Sequence, residues 1–360
     1  MAPLAQPRTA PKLWRPKQVL ITRAALEHAH GHAIAARCER LGLPVERLAG
    51  DRLPSLRGGN DREQYRRAKS TLAVVVAPPS ARRPQPIPPS ADWQFHLARG
   101  CPAHCQYCYL AGSLPGAPVT RAFANLEEIL AALVPYEHQG TVTSAQAARA
   151  HEGTTFEASC YTDPLGIEHL TGSLAATIEH FATRPGTQLR FTTKFDAVDE
   201  LVRLDHRGRT RARISVNAPL VARRYEGGTA SLDARLGALR RLALAGYPVG
   251  LTIAPIMALE DWRAGYQELL ERVAAALEDT GADLTVECIT HRFTDTSRDV
   301  LQRWYPASTL EMDDDLRALK RTKFGGTKHV YPKPVMTELK GFFGEALAAT
   351  LPDARLLYWT

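Results

Sequence analysis

At 360 residues the chain is too long for one minimal domain and short for three, which suits two domains or one α/β barrel with an extension. Hydrophobic residues make up 44% and charged residues 23%, so disorder is excluded as the main state. The longest strongly apolar run, Leu72 to Ala77, is far short of the roughly 20 residues of a membrane helix, and the net charge of +7 suits a polyanionic partner without specifying one.

No Asp or Glu precedes Glu27, while Arg8, Lys12, Arg15, Lys17 and Arg23 do, and no apolar signal segment is seen. Residues 1–13 therefore read as a disordered leader of a cytoplasmic protein. QVLIT (18–22) reads as a strand, Ala24 to Leu41 as an amphipathic helix, and Thr71 to Ala77 as a buried strand. Together these suggest a small N-terminal α/β module over 14–77. APPSARRPQPIPP (77–89) carries six prolines in thirteen residues and reads as a stiff linker over 78–89.

Beyond the linker, β-type runs recur at Phe95–Ala98, Thr155–Ser159, Leu189–Thr193, Ala212–Val216, Val249–Ala254 and Leu284–Ile289. Helical patterns at Leu126–Val134, Ile167–Phe181, Ala197–Leu204, Ser231–Ala245 and Glu260–Leu277 lie between most of them. Asn125 and Glu128 suggest a capping box for the first. Six such units predict a partial (β/α)6 TIM-type barrel over 90–295, with reactive residues at the C-terminal strand ends. Residues 296–360 form a C-terminal extension with a helix near Met336–Thr350 and a final strand in ARLLYWT. The basic run HRGRTRAR (206–213) reads equally well as a solvated loop or as a nucleic-acid contact. Neither a Walker A sequence nor HExxH occurs.

Of six cysteines, Cys101, Cys105 and Cys108 fall within eight residues, in GCPAHCQYCYL directly after the first barrel strand. Three thiolates in CxxxCxxC can each take one iron of a cubane cluster, leaving the fourth iron open to a small molecule; purely electron-carrying clusters take four cysteines. Structural zinc, with His104 or a later residue as fourth ligand, is the alternative, and would make the chain a zinc-stabilised DNA-binding protein.

The CxxxCxxC after the first strand resembles the radical S-adenosylmethionine (SAM) superfamily. PSADWQFHLARGCPAHCQYCYL, FEASCYTDPLGIEHL, LRFTTKF, ARISVNAP, GYPVGLTIAPI and ITHRFT, in that order, resemble the spore photoproduct lyase family. The resemblance runs from about Trp14 to Thr360. It implies a DNA repair lyase that returns a methylene-bridged thymine dimer, 5-thyminyl-5,6-dihydrothymine, to two thymines. The implied cofactors are a [4Fe-4S] cluster and SAM, with a 5′-deoxyadenosyl radical removing hydrogen from the lesion. An electron donor such as flavodoxin or ferredoxin, damaged DNA as substrate, no membrane and a monomeric state complete the expectation. A member of the same family acting on another nucleic-acid substrate is the second reading.

By the same resemblance, Cys101, Cys105 and Cys108 match the cluster ligands and Cys160, ending FEASC, the hydrogen donor. Tyr107 and Tyr109 match tyrosines that return the hydrogen. Lys194, Ser215 and Asn217 match SAM contacts. Thr162, which stands where the family has serine, His291, Arg292 and Lys328 match positions near the lesion or DNA. Lys323 and Phe324 stand where the family has arginine and tyrosine.

Overall fold

The computed structural model describes residues 11–55, 59–114, 116–140, 147–321 and 326–360. The N-terminal part runs β1 (Gln18–Ile21), α1 (Ala29–Arg40), β2 (Val45–Arg47), α2 (Asp61–Lys69) and β3 (Thr71–Val75). The proline-rich stretch follows with α3 (Pro79–Arg82) and β4 (Gln85–Ile87). Next come β5 (Ala91–Phe95), β6 (Ala98–Arg99), β7 (His104–Cys105), β8 (Thr120–Phe123) and α4 (Leu126–Ala131). The barrel continues through β9 (Thr154–Ala158), α5 (Glu168–Thr171), α6 (Ser173–Ala182), β10 (Thr187–Thr193), β11 (Thr210–Val216) and α7 (Pro219–Tyr225). It proceeds with β12 (Glu226–Gly227), α8 (Leu232–Leu244), β13 (Val249–Ile256), α9 (Trp262–Leu277) and β14 (Leu284–Thr290). The C-terminal part holds α10 (Asp295–Trp304), β15 (Ala318–Arg321), β16 (Thr327–Val330), α11 (Lys333–Thr350) and β17 (Arg355–Trp359).

Two sheets organise these elements. The larger has the order β17-β14-β13-β11-β10-β9-β5-β4, parallel from β5 to β17, with β4 antiparallel at the edge. Its strands from β9 to β14 are almost wholly buried, α8 and α9 pack on its outside, and the sheet curls into a half-barrel. The smaller has the order β2-β1-β3-β8-β6. Its last two strands come from beyond the proline-rich stretch, so the N-terminal sheet is completed by the two strands that bracket the cysteine loop. That stretch is also more than a linker: β4 pairs with β5 and extends the barrel sheet. An edge strand tolerates proline, because the missing N–H costs no interior ladder bond.

Several local expectations shift. The first barrel strand lies at Ala91–Phe95 rather than Phe95–Ala98, because Leu97 and Ala98 already belong to the connection into the smaller sheet. Asn125 does not cap α4. Its Oδ1 accepts from Ala77 N (2.8 Å) and its Nδ2 donates to Ala77 O (3.1 Å) and Glu128 Oε2 (3.0 Å), tying α4 to the end of β3. Gly172, in the left-handed region at φ +65°, divides the Ile167–Phe181 helix into α5 and α6. Ala197–Leu204 gives only a 3-10 turn at Leu201–Arg203.

The basic run is not a solvated loop throughout. Arg211 and Arg213 lie in β11 and are buried. Arg213 pairs with Glu157 of β9 and Glu287 of β14, and Glu287 also holds Arg190 of β10 (3.0 Å) and Ser90 Oγ (3.1 Å). Side chains of four barrel strands thus fill the barrel interior with a paired ionic network. Burying these charges is tolerable only because each finds a partner.

Candidate active site

The cysteine loop leaves the smaller sheet at β6 and returns at β8. Gly100 opens it at φ +80°, where a Cβ would stand 2.3 Å from Val119 O, so only glycine lets the two ends of the loop pass this closely. Two elements then grip it. The buried Lys69 of α2 donates to Cys101 O and Ala103 O. On the other side β12 pairs antiparallel with β7, setting Glu226 opposite Cys105 and Gly227 opposite His104, and Gln106 N donates to Tyr225 O (2.9 Å).

Burial pushes the Cys101 thiol up to about 12 against the opposing pull of Lys69, and burial likewise raises Cys105. The field of Cys108 acts on both, so the three thiols share one site. Their sulfurs do not all lie within 4.8 Å of one another. A single tetrahedral zinc at 2.3 Å per bond needs sulfurs about 3.8 Å apart, whereas thiolates bound to separate irons stand wider. Three thiols on one short loop form a donor set that a cubane cluster, with one iron per thiolate, would fit.

Cys160 follows β9. Ser159 just before it adopts φ +62°, a left-handed turn stabilised by Ser159 N donating to Phe95 O (2.7 Å) and Leu97 N donating to Ser159 Oγ (2.9 Å). This turn sends the chain from β9 over the barrel mouth, where Tyr109 OH donates to Cys160 O. The cysteine loop and Cys160 are thus in direct contact. Burial lifts the Cys160 thiol well above its ordinary value, Glu157 adds to the effect and Arg213 opposes it. Around the neighbouring Tyr161, whose ring stacks on His96 at 4.6 Å, His96 Nδ1, Arg99 Nε and Thr162 Oγ1 are buried polar atoms without a partner. Such atoms mark where water or a bound molecule completes the hydrogen bonding.

Lys194, at the end of β10, donates to Ser215 Oγ (2.6 Å) and pairs with Glu226 Oε1 (3.2 Å). The same Glu226 oxygen accepts from Tyr107 OH, and Arg235 Nη1 lies 2.5 Å from Oε2. Burial opposes ionisation of Glu226, but Lys194 and Arg235 hold its carboxyl at about 2. Lys194, Tyr107 and Arg235 are thereby brought together on one carboxylate, and Ser215 joins them through Lys194. Asn217 differs: it is fully buried, donates to Pro255 O (2.8 Å), and accepts from Tyr266 OH (2.8 Å) and Ala218 N (3.0 Å). Its amide joins the ends of β11 and β13 and packs α9 against them.

The lesion-side positions divide. His291 is buried and held by Arg317, which donates to its carbonyl (3.1 Å) and contacts Nδ1 (3.2 Å); burial, then Arg317, lowers it to about 3. Arg292 is exposed and acts electrostatically, with Lys320, on Lys328, whose pKa falls to about 8 chiefly through burial. Reciprocal bonds between Phe293 and His329 (3.2 and 2.8 Å) bring the β14 end to the β15–β16 hairpin. Lys323 and Phe324 lie outside the described residues.

Sequence reasoning missed four site residues. Glu226 gave no signal beyond an acid before Gly-Gly. Asp163, which accepts from Thr193 Oγ1 (2.7 Å), Lys194 N (2.7 Å) and Gly166 N (3.2 Å), could have been suspected from the Asp-Pro turn. Lys69 and Tyr65 belong to a helix distant in sequence, which nothing in the motif announces.

A family model described as spore photoproduct lyase matches residues 14–360. The chain is 38% identical to spore photoproduct lyase of Bacillus subtilis over 96% of this chain and 98% of that protein. It is 31% identical to that of Clostridium acetobutylicum, over 91% and 94% respectively. A solved variant of spore photoproduct lyase with bound AdoMet and dinucleoside spore photoproduct is 35% identical. It superposes at a TM-score of 0.88, covering 97% of this chain and 100% of that one.

Proposed function

The chain belongs to the spore photoproduct lyase family, and on that premise we propose that it is the lyase that reverses the spore photoproduct in DNA, using a three-cysteine cluster and SAM. The observation that carries the reading is the contact between the cysteine loop and Cys160 through Tyr109, which puts a half-buried thiol beside the three-cysteine loop. When bound, the cluster and SAM supply one-electron chemistry that ends in hydrogen abstraction from the lesion.

Cys101, Cys105 and Cys108 hold the cluster, and Lys69 braces the carbonyls of their loop. Lys194 and Ser215 lie where a carboxylate and hydroxyls of SAM can be bound, with Glu226 fixing the ammonium. Cys160 gives a hydrogen atom to the thymine radical left after bond cleavage, and Tyr109, bonded to its carbonyl, returns one with Tyr107. Because the Cys160 thiol titrates well above its ordinary value, it keeps its hydrogen at neutral pH. Arg292, Lys320 and Lys328 form the surface that meets the phosphates, and the lesion is flipped out of the duplex to reach the barrel mouth. A low-potential one-electron carrier would supply the electron that this chemistry needs. Among the described residues no helix is long and apolar enough to cross a membrane.

The test is anaerobic incubation of the reconstituted protein with SAM, dithionite and the dinucleoside spore photoproduct. Stoichiometric conversion of the dinucleoside lesion to two thymidines supports the reading. A stable, colourless protein with one zinc and no thymidine formation refutes it.

A further inference from the structure

The cysteine loop has an outer side that the repair chemistry leaves unused. His104, inside the triplet, is where two gripping elements meet. Tyr65 OH of α2 contacts His104 Nδ1 at 3.0 Å. On the opposite flank, beyond α7, a Cβ at Gly228 would stand 2.8 Å from His104 Cδ2, so the backbone there passes close beside the imidazole. Tyr65 continues into an aromatic group. Its ring centroid lies 5.8 Å from His104, 5.4 Å from Tyr305 and 4.7 Å from Trp304. Trp304 and Tyr65 line a cavity of about 420 Å³ between α2 and α10. A chain of contacting rings therefore leads from the triplet to an open hollow.

Both gripping helices turn arginines outward. Helix α2 buries Tyr65, Ala68 and Lys69 toward the loop and exposes Arg62, Arg66 and Arg67. Helix α7 buries Val221 and Tyr225 and exposes Arg223 and Arg224. None of these five guanidinium groups forms an ion pair among the described residues. The nearby Asp61 is already paired with Arg303 (3.1 Å), leaving Glu63 as the other exposed acid on α2. Five unpaired like charges beside a redox site are not needed to hold the fold. They create a positive field that attracts an acidic partner.

We propose that the arginine-bearing faces of α2 and α7 are the docking surface for an acidic one-electron carrier protein, which delivers its electron to the cysteine loop at His104 and Tyr65. The inference rests on the cluster reading above and adds where the reductant binds. The carrier is favoured over DNA because these arginines are carried by the two helices that hold the cluster loop, α2 through Lys69 and α7 through Tyr225, whereas Arg292 and Lys328 sit by the end of β14 and its hairpin. A reductant gains from approaching the cluster directly. No atom transfer is involved: one electron leaves the reduced carrier and enters the cluster.

The test uses the cluster-loaded protein and a purified acidic flavodoxin, with Arg62→Gln/Arg66→Gln/Arg67→Gln and, separately, Arg223→Gln/Arg224→Gln. Glutamine keeps the helix propensity. Flavodoxin affinity, measured by fluorescence titration at low and high salt, is expected to fall about tenfold in the triple variant, with a flattened salt dependence. Cluster reduction by photoreduced flavodoxin should slow by the same factor, while reduction by dithionite and affinity for lesion-bearing duplex stay unchanged. Undiminished flavodoxin binding in both variants overturns the inference, as does a wild-type protein that binds no flavodoxin. Loss of duplex affinity instead would assign the face to DNA. Iron content and dithionite reduction of the wild type report separately on the cluster: without iron, that reading falls, and this one with it.

Discussion

Replacing Cys160 by alanine separates three roles that a cysteine at this position can have. The substitution removes one sulfur from a half-buried site, which costs about 1 kcal/mol at most through a small cavity. For a chain of this size that lowers the melting temperature by only about 2 °C. The backbone carbonyl that accepts from Tyr109 remains, so the contact between the cysteine loop and the β9 end survives. Cys160 lies outside the triplet, so iron content should not change. What is lost is a hydrogen donor. Its pKa is raised well above 9 by burial and by Glu157, so less than about 1% is thiolate at pH 7 and nearly every molecule carries the S–H. Hydrogen donation in the wild type should accordingly show no decline as pH rises from 7 to 9. In the variant, SAM is still cleaved and the bridging bond still broken, but the thymine radical is trapped by reductant or another donor. Clean thymine should fall by at least about tenfold, equivalent to ~1.4 kcal/mol of barrier. Mass spectrometry of the products after anaerobic incubation with dithionite reads this directly. Clean repair at the wild-type rate refutes the donor role, and loss of iron identifies Cys160 as a ligand instead.

Three further outcomes are expected. Cys105→Ala should reduce iron from about four per reconstituted chain to a small remainder, measured by iron assay and visible absorption, and abolish SAM cleavage. Glu226→Gln should destabilise by about 3 kcal/mol in thermal unfolding, the equivalent of the depression of its carboxyl from 4.5 to about 2. Because the folded value is the lower one, this contribution is complete above about pH 4.5 and disappears as pH falls toward 2. An acid titration of stability in which wild type and variant converge over that range checks the sign. Glu287→Ala, which strands Arg190 and Arg213 in the barrel interior, should cost about 3–5 kcal/mol in urea unfolding. The double variant with Arg213→Ala should then lose less than the sum of the two single changes.

The sequence by itself determined the parallel architecture and singled out the three-cysteine loop. Runs such as LRFTT and ARISV between amphipathic segments carry their period locally, and three cysteines in eight residues need no tertiary context to be read as a metal site. Tertiary structure decided what surrounds that loop. Lys69, Tyr65 and Glu226 act on it from about 35 residues before and 120 residues after the triplet, and no local pattern encodes a contact made across such separations. The fate of charge was also hidden. Arg213 looks in sequence like a solvated or DNA-binding cation, yet it is buried, beside Arg190, because Glu157 and Glu287 arrive on other barrel strands. Whether a charge is exposed depends on the free energy of desolvation against that of pairing, and the partner is known only once the strand order is fixed. The same holds for Asn217, whose alternation with Ser215 on one strand face suggested a ligand contact. The cross-strand bonds to Pro255 and Tyr266 show that its amide also braces the barrel, which the alternation could not announce.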